Sequence, residues 1–223
     1  MEEIIMNARK VSLMLLTITA AAVLAACGEQ AEYEEPMSNP EVTHPDESAA
    51  VSTENAPTLD YDIGVAVPMP SETAKNEELE KLIIDEWSIP EETQADTRYY
   101  YNYVDLNADG TDEVLALVVG DYTSGSGGSS MLIASQKDGK LTAMQSLSGI
   151  QAPVIAGDTM EGEWMDLIVA SGGGWVTLNY DGKGYPTVSD GTALSSLENV
   201  SGYAVFYNDL AADVDGGSAL HLG

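Results

Sequence analysis

Between Pro90 and Asp209 the chain is written almost wholly in short runs of β-forming residues separated by turn signals. Tyr99, Tyr101 and Tyr103 alternate with Tyr100, Asn102 and Val104, which is the period of a strand. Further runs follow at 113–119, 130–135, 141–147, 152–156, 165–170, 174–180 and 202–207. Asp138-Gly139, Asp181-Gly182 and the loop 120–129 punctuate them. Such a chain can bury its apolar residues only by pairing strands into sheets. Ahead of Pro90 the period is different. Leu79, Leu82, Ile83 and Trp87 recur at helical spacing, Glu77, Glu78 and Glu80 crowd the first turn where the helix dipole favours acids, and Pro90 stops the helix. The pattern predicts a single α+β domain over residues 76–223. One N-terminal helix packs on a mostly antiparallel, twisted sheet of about 6–8 strands. Residues 192–198 are expected to form a short helix, and the acidic, Gly-rich tail beyond Asp209 is expected to fray.

The N-terminal segment carries a different kind of information. Arg9-Lys10 precedes an apolar-to-small run from Val11 to Ala26, which ends at Leu24-Ala25-Ala26-Cys27-Gly28. A charged start, an apolar centre and small residues before a cut are the layout of a secretory signal, here residues 1–26. The run of 16 residues is short of the roughly 20 that span a bilayer. Two acids, Glu2 and Glu3, stand where the basic region should begin, so translation is expected to start at Met6. The four residues ending in Cys27 resemble the lipobox of bacterial lipoproteins. That resemblance implies that Cys27 becomes the first residue of the mature protein and carries several acyl chains, palmitate among them. Several chains anchor stably where one does not. The resemblance also implies localisation at a cell membrane, lipid-anchored and facing outside the cytoplasm. Cys27 is the sole cysteine, so an acylated mature chain has no disulfide, no thiol nucleophile and no cysteine metal site.

Residues 27–75 read as the lipidated cysteine and a disordered tether. Six of the nine prolines lie there, with eleven acids and one lysine. Such composition cannot bury enough apolar surface to offset chain entropy. As a flexible coil the tether averages roughly 40 Å end to end. The segment 76–223 carries 24 acids against five bases. Nucleic acid and anionic lipid head groups are poor partners for that surface.

One stretch has ligand chemistry in it. Asp105, Asn107, Asp109 and Glu113 place oxygen side chains at positions 1, 3, 5 and 9 of a loop, with Gly110 at position 6 and the Thr111 carbonyl at position 7. Calcium takes about six to eight oxygen ligands, and alternate residues of a tight loop can supply them. An EF-hand needs a Glu at position 12, where this chain has Ala116 within a strand pattern. The setting resembles the calcium loops of FG-GAP and VCBS repeats, over residues 101–119. A degenerate second copy runs from Asp158 through the 165–169 strand to Asp181-Gly182. Two units cannot close a propeller of the usual four to eight blades. The other reading of the loop is a metal-free turn, because Asp and Asn side chains bond their own backbone in turns.

Other candidates are weaker. The glycines at 125–128 and 172–174 are not followed by the Lys-Ser or Lys-Thr and helix of a phosphate loop, and read as turns. The two histidines, His44 and His221, lie in the tether and the tail, which argues against Ser-His-Asp catalysis and histidine-ligated zinc. Trp164, Trp175, Tyr180 and Tyr185 cluster in sequence and can either line a ligand face or fill core. The expectation is therefore a membrane-anchored extracytoplasmic lipoprotein. It presents a non-enzymatic, calcium-binding module for a ligand, protein or cell-wall partner. The alternatives are a hydrolase acting on cell-wall or carbohydrate substrates through two carboxylates, and an accessory subunit of an envelope complex.

Overall fold

The computed structural model describes residues 59–223 apart from Asp138 and Gly162. The signal segment, Cys27 and most of the tether lie outside the described residues. Among the described residues no helix is long and apolar enough to cross a membrane.

In chain order the elements are β1 (Val67–Pro68), α1 (Glu77–Trp87), α2 (Glu91–Gln94), β2 (Arg98–Val104), β3 (Glu113–Val119), β4 (Ser129–Lys137), β5 (Lys140–Ile150), β6 (Val154–Glu161), β7 (Trp164–Ser171), β8 (Gly174–Leu178), β9 (Thr192–Leu194), β10 (Gly202–Val205), α3 (Leu210–Gly216) and β11 (Leu220–His221). The fold is the expected one, a helix on mostly antiparallel strands. The strands are divided between two sheets, of order β11-β2-β3-β4-β5 and β1-β10-β6-β7-β8-β9. Each sheet holds a four-strand meander, β2 to β5 in the first and β6 to β9 in the second. The chain passes from one to the other between Ile150 and Val154, through the cis Ala152–Pro153 bond. Only β1, which runs parallel to β10, departs from antiparallel pairing among the described strands.

The two sheets pack face to face. Tyr100, Leu115, Leu117, Met131 and Ile133 of the first meet Val154, Ala156, Leu167, Val169 and Val205 of the second in one apolar cluster. The other face of the first sheet is covered by α1. Leu79 and Ile83 pack there with Tyr99, Tyr101, Val114, Ala116, Val118 and Leu132. Strand β3 is therefore buried on both faces, which explains why residues 113–119 read as a continuous apolar run and not as an alternation. Asn76 caps α1 by accepting the Leu79 N–H at 3.0 Å. The outer face of the second sheet is covered by loops, with Ala66, Leu197 and Val200 over Ile155, Ile168 and Ala204.

Three local expectations are corrected. Residues 192–198 do not form a helix; Thr192–Leu194 is the edge strand β9, paired with Trp175–Thr177. The tail does not fray. It forms α3 and β11, and Leu222 is buried against the α1 cluster. The last part of the expected tether, from Leu59 to Lys75, runs along the domain. The Met69 N–H donates to Ala204 O and the Glu72 N–H to Tyr101 O, while Tyr207 Oη donates to Leu59 O at 2.8 Å. Proline and acid content marked this segment as unable to form a core alone, and it does not form one; it borrows the edges of sheets built by residues distant in sequence.

Asn102 holds that junction. It is 1% exposed, on the inner face of β2, where its Nδ2 donates to Pro70 O at 2.8 Å and its Oδ1 accepts the Phe206 N–H at 2.9 Å. Replacing it with Ala strands the buried Phe206 N–H and removes the partner of the Pro70 carbonyl, a cost of about 1–3 kcal/mol. Urea unfolding of Asn102→Ala is expected to show a lowered midpoint with an unchanged slope.

Candidate functional site

The 105–113 loop joins β2 to β3 and is built by its own side chains. Asp105 Oδ1 accepts the Asp109 N–H at 3.1 Å, and Asp105 Oδ2 accepts the Gly110 N–H at 2.9 Å. Asn107 Oδ1 also accepts the Asp109 N–H, at 2.9 Å, and Asp109 Oδ1 accepts the Thr111 N–H at 2.8 Å. Ala108 and Gly110 take positive φ, at 55° and 85°, which lets the chain curl around these carboxylates. Residues 108–112 are exposed and Asp105 and Asn107 half-buried, whereas Leu106 is fully buried and ties the loop to the second sheet by accepting the Met165 N–H at 2.7 Å.

Asp105, Asn107 and Asp109 are brought together as the spacing requires. Glu113 is not part of that arrangement. It is 3% exposed and starts β3 on the inner face, in register with Leu115 and Leu117. Its Oε2 accepts the Leu106 N–H at 3.0 Å. Burial pushes its carboxyl up to about 7; the Leu106 hydrogen bond opposes this, and the negative charges of Asp109, Asp105 and Asp112 add to it. Its place on the inner face of β3, with Oε2 engaged by the Leu106 N–H, sets it apart from the other acids of the loop. Among the described residues no group of three His, Cys, Asp or Glu side chains converges on one metal position. Asp105, Asn107 and Asp109 spend their oxygens on N–H groups of the loop itself, the pattern of a metal-free Asx turn. Each ionised carboxylate oxygen that accepts one N–H still has a lone pair to offer.

The four aromatic candidates divide. Trp164 stacks on Tyr180 with ring centroids 4.8 Å apart, and Tyr180 meets Tyr185 edge-on at 5.3 Å. Tyr185 is buried, and its Oη donates to Met165 O at 2.7 Å. Burial, with the charges of Asp166 and Glu113, raises its phenol above the usual range. Trp175 lies apart, packed with the cluster on the outer face of the second sheet. Trp164, Tyr180 and Tyr185 together line a small cavity of about 30 Å³ with Met144 and Lys183, and Trp164 also reaches an open groove beside the loop.

Two open grooves flank the loop. One, of about 390 Å³, is lined by Met69, Tyr103, Val104, Asp105, Ala108, Asp112, Met165 and Tyr203. The other, of about 660 Å³, is lined by Asn107, Ala108, Asp109, Met160, Glu163 and Trp164. Tyr103, Tyr203, Met69, Met160 and Met165 were not singled out in the sequence. Tyr103 had a signal, since it is the last tyrosine of an alternating series and stands two residues before Asp105. Tyr203 had none, because it reaches the groove only through the pairing of β10 with β1 and β6. Of the three buried acids among the described residues, Glu80 is bound to Tyr99 Oη beneath α1, and Glu113 and Asp166 do not share a cleft. Asp166 lies on the outer face of β7 with Ile168, whereas Glu113 faces the inter-sheet core.

No protein-family model, no curated protein and no solved structure matches this chain.

Glu113 provides a pH test. Its folded carboxyl titrates near 7 against an ordinary value of 4.5, so the native state holds the extra proton between those limits. Stability from this group is complete below about pH 4.5 and is lost as pH rises through about 7. With chelator present, Glu113→Gln is expected to exceed the parent in stability by on the order of 2–3 kcal/mol at pH 8. The advantage should shrink toward zero near pH 4.5, as followed by urea unfolding across that range.

Proposed function

We propose that this chain is an extracytoplasmic lipoprotein, anchored to a membrane through acyl groups on Cys27, whose sandwich domain is a non-enzymatic binding module. The observation that carries the binding reading is the pair of grooves beside the 105–113 loop. Tyr103, Tyr203 and Met160 stand there exposed next to carboxylates, together with Met69, Met165 and Trp164. Concave, mostly apolar surface with a few fixed polar groups is the usual form of a binding site. Methionine suits such a surface because its unbranched, polarisable side chain adapts to a ligand. The anchor reading rests on Arg9-Lys10, the apolar run and the Leu24-Ala25-Ala26-Cys27 sequence.

Within this reading the loop is a weak calcium site made by Asp105, Asn107, Asp109 and the Thr111 carbonyl, with Glu113 left out. Calcium there would cancel part of the charge repulsion between two carboxylates and stiffen the wall shared by both grooves. The partner is a protein or wall component that meets the domain outside the cytoplasm.

Two measurements test the reading. In a bacterial host fed alkyne-palmitate, the chain is expected to take up label and sediment with membranes, and Cys27→Ser to lose both properties. An unlabelled, soluble parent would end the anchor proposal. For the loop, 10 mM calcium is expected to stabilise the full chain in non-ionic detergent by about 1–3 kcal/mol, from a Kd on the order of 10⁻⁴–10⁻³ M. That raises Tm by a few degrees. The double variant Asp105→Asn with Asp109→Asn keeps the turn's acceptors and should lose the shift; an equal shift in parent and variant would remove calcium from the loop.

A further inference from the structure

The smaller groove exists because the second sheet overhangs the first. Val67 and Met69 alternate onto the same face of β1 and its continuation, and Val67 is the cross-strand partner of Tyr203. Further along β10, Val205 on that face is fully buried between the sheets. At the rim the first sheet no longer covers this face, so Val67 is 58% exposed and Tyr203 42% exposed. Tyr103, 39% exposed, borders the same groove from the end of β2, held in place by the Asn76 Nδ2 donating to its Oη at 3.3 Å and by edge-on contact with Tyr101 at 5.6 Å. Met69, Val104 and Met165 also line the groove, and Asp105 and Asp112 stand on its loop side. Asp112 has no hydrogen-bond or ion-pair partner among the described residues, and no lysine or arginine lines the groove.

Resting on the binding reading, we propose that this groove receives a lysine or arginine side chain carried by an extended segment of a partner protein. Apolar side chains suit the alkyl stem of such a residue. Tyrosine faces attract its charged head through the ring quadrupole. Asp112 supplies the counter-charge, and the protein's net charge of −29 favours the approach of a basic partner. The exposed apolar surface continues past the groove to Val67, further than a small cation would cover, and so fits neighbouring side chains of the same segment.

The probe is the tripeptide acetyl-Leu-Lys-Leu-amide, titrated into the full chain in non-ionic detergent with chelator. Methionine-methyl and tyrosine-ring NMR signals report its position. The expected result is saturable shifts at Met69, Met165, Tyr103 and Tyr203, with affinity reduced at least threefold by Asp112→Asn and by Tyr203→Ala. The counterparts bearing glutamate or norleucine in place of lysine should bind at least threefold more weakly than the lysine probe. Norleucine binding equal to lysine would overturn the cationic assignment while leaving the groove a binding site. Choline binding at the same signals as tightly as the tripeptide would overturn the protein-segment assignment. Shifts spread over the acidic surface and unchanged in both variants would overturn the proposal, and silence of the groove toward every probe would overturn the binding reading as well.

Discussion

The apolar layer between the two sheets is the constraint on which the rest of the domain depends. Neither meander could be stable alone, because each has one face of valine, leucine and isoleucine that must leave water. Stacking them satisfies both faces at once. With Cys27 the sole cysteine, no disulfide can help, so this burial and the hydrogen bonds at its margins are what hold the domain. Burial then propagates outward. Strand β3 is so apolar that its second face also needs a cover, and α1 provides it through Leu79 and Ile83. The second sheet solves the same problem with loops, through Ala66, Leu197 and Val200.

Polar groups caught in this arrangement mark where segments distant in sequence meet. Asn102 sits on an inner face and is satisfied by a carbonyl of residue 70 and an amide of residue 206. Glu80 of α1 accepts a hydrogen bond from Tyr99 Oη at 2.7 Å, which fastens the helix to β2. Burial and that bond to a carboxylate both raise the Tyr99 phenol above its usual range. Glu113 is less well matched: it lies between the sheets with the Leu106 amide as partner and three neighbouring acids in its field. The loop it closes is the same loop that borders the two grooves, so a buried carboxyl in the field of three acids lies beside both of them.

Much of the architecture was legible from pattern. The α1 stripe and the strand runs report local geometry, and local geometry follows from side-chain period and turn chemistry. Division of the strands between two sheets was not legible, because each run is compatible with either partner. The tail and the segment from Leu59 to Lys75 were misread for a related reason. Their composition cannot build a core, and composition is silent about edges supplied by other strands. For the loop, the spacing of Asp105, Asn107 and Asp109 predicted their convergence. The same spacing could not reveal that Glu113 turns inward, since that follows from the register of β3 with Leu115 and Leu117.

The sequence by itself determined the secondary-structure alphabet, the single thiol at Cys27, the strongly acidic charge and the oxygen-rich turn at 105–111. Each is a property of neighbouring residues or of composition, readable without knowing what lies across space. Tertiary structure alone decided which aromatics are core and which are surface, sent Trp175 to one face and Trp164 to another, and brought Tyr103 and Tyr203 to one groove. Those outcomes depend on strand order and on how far one sheet extends past the other. Both are settled by long-range packing of whole faces, for which no single run of residues carries the signal.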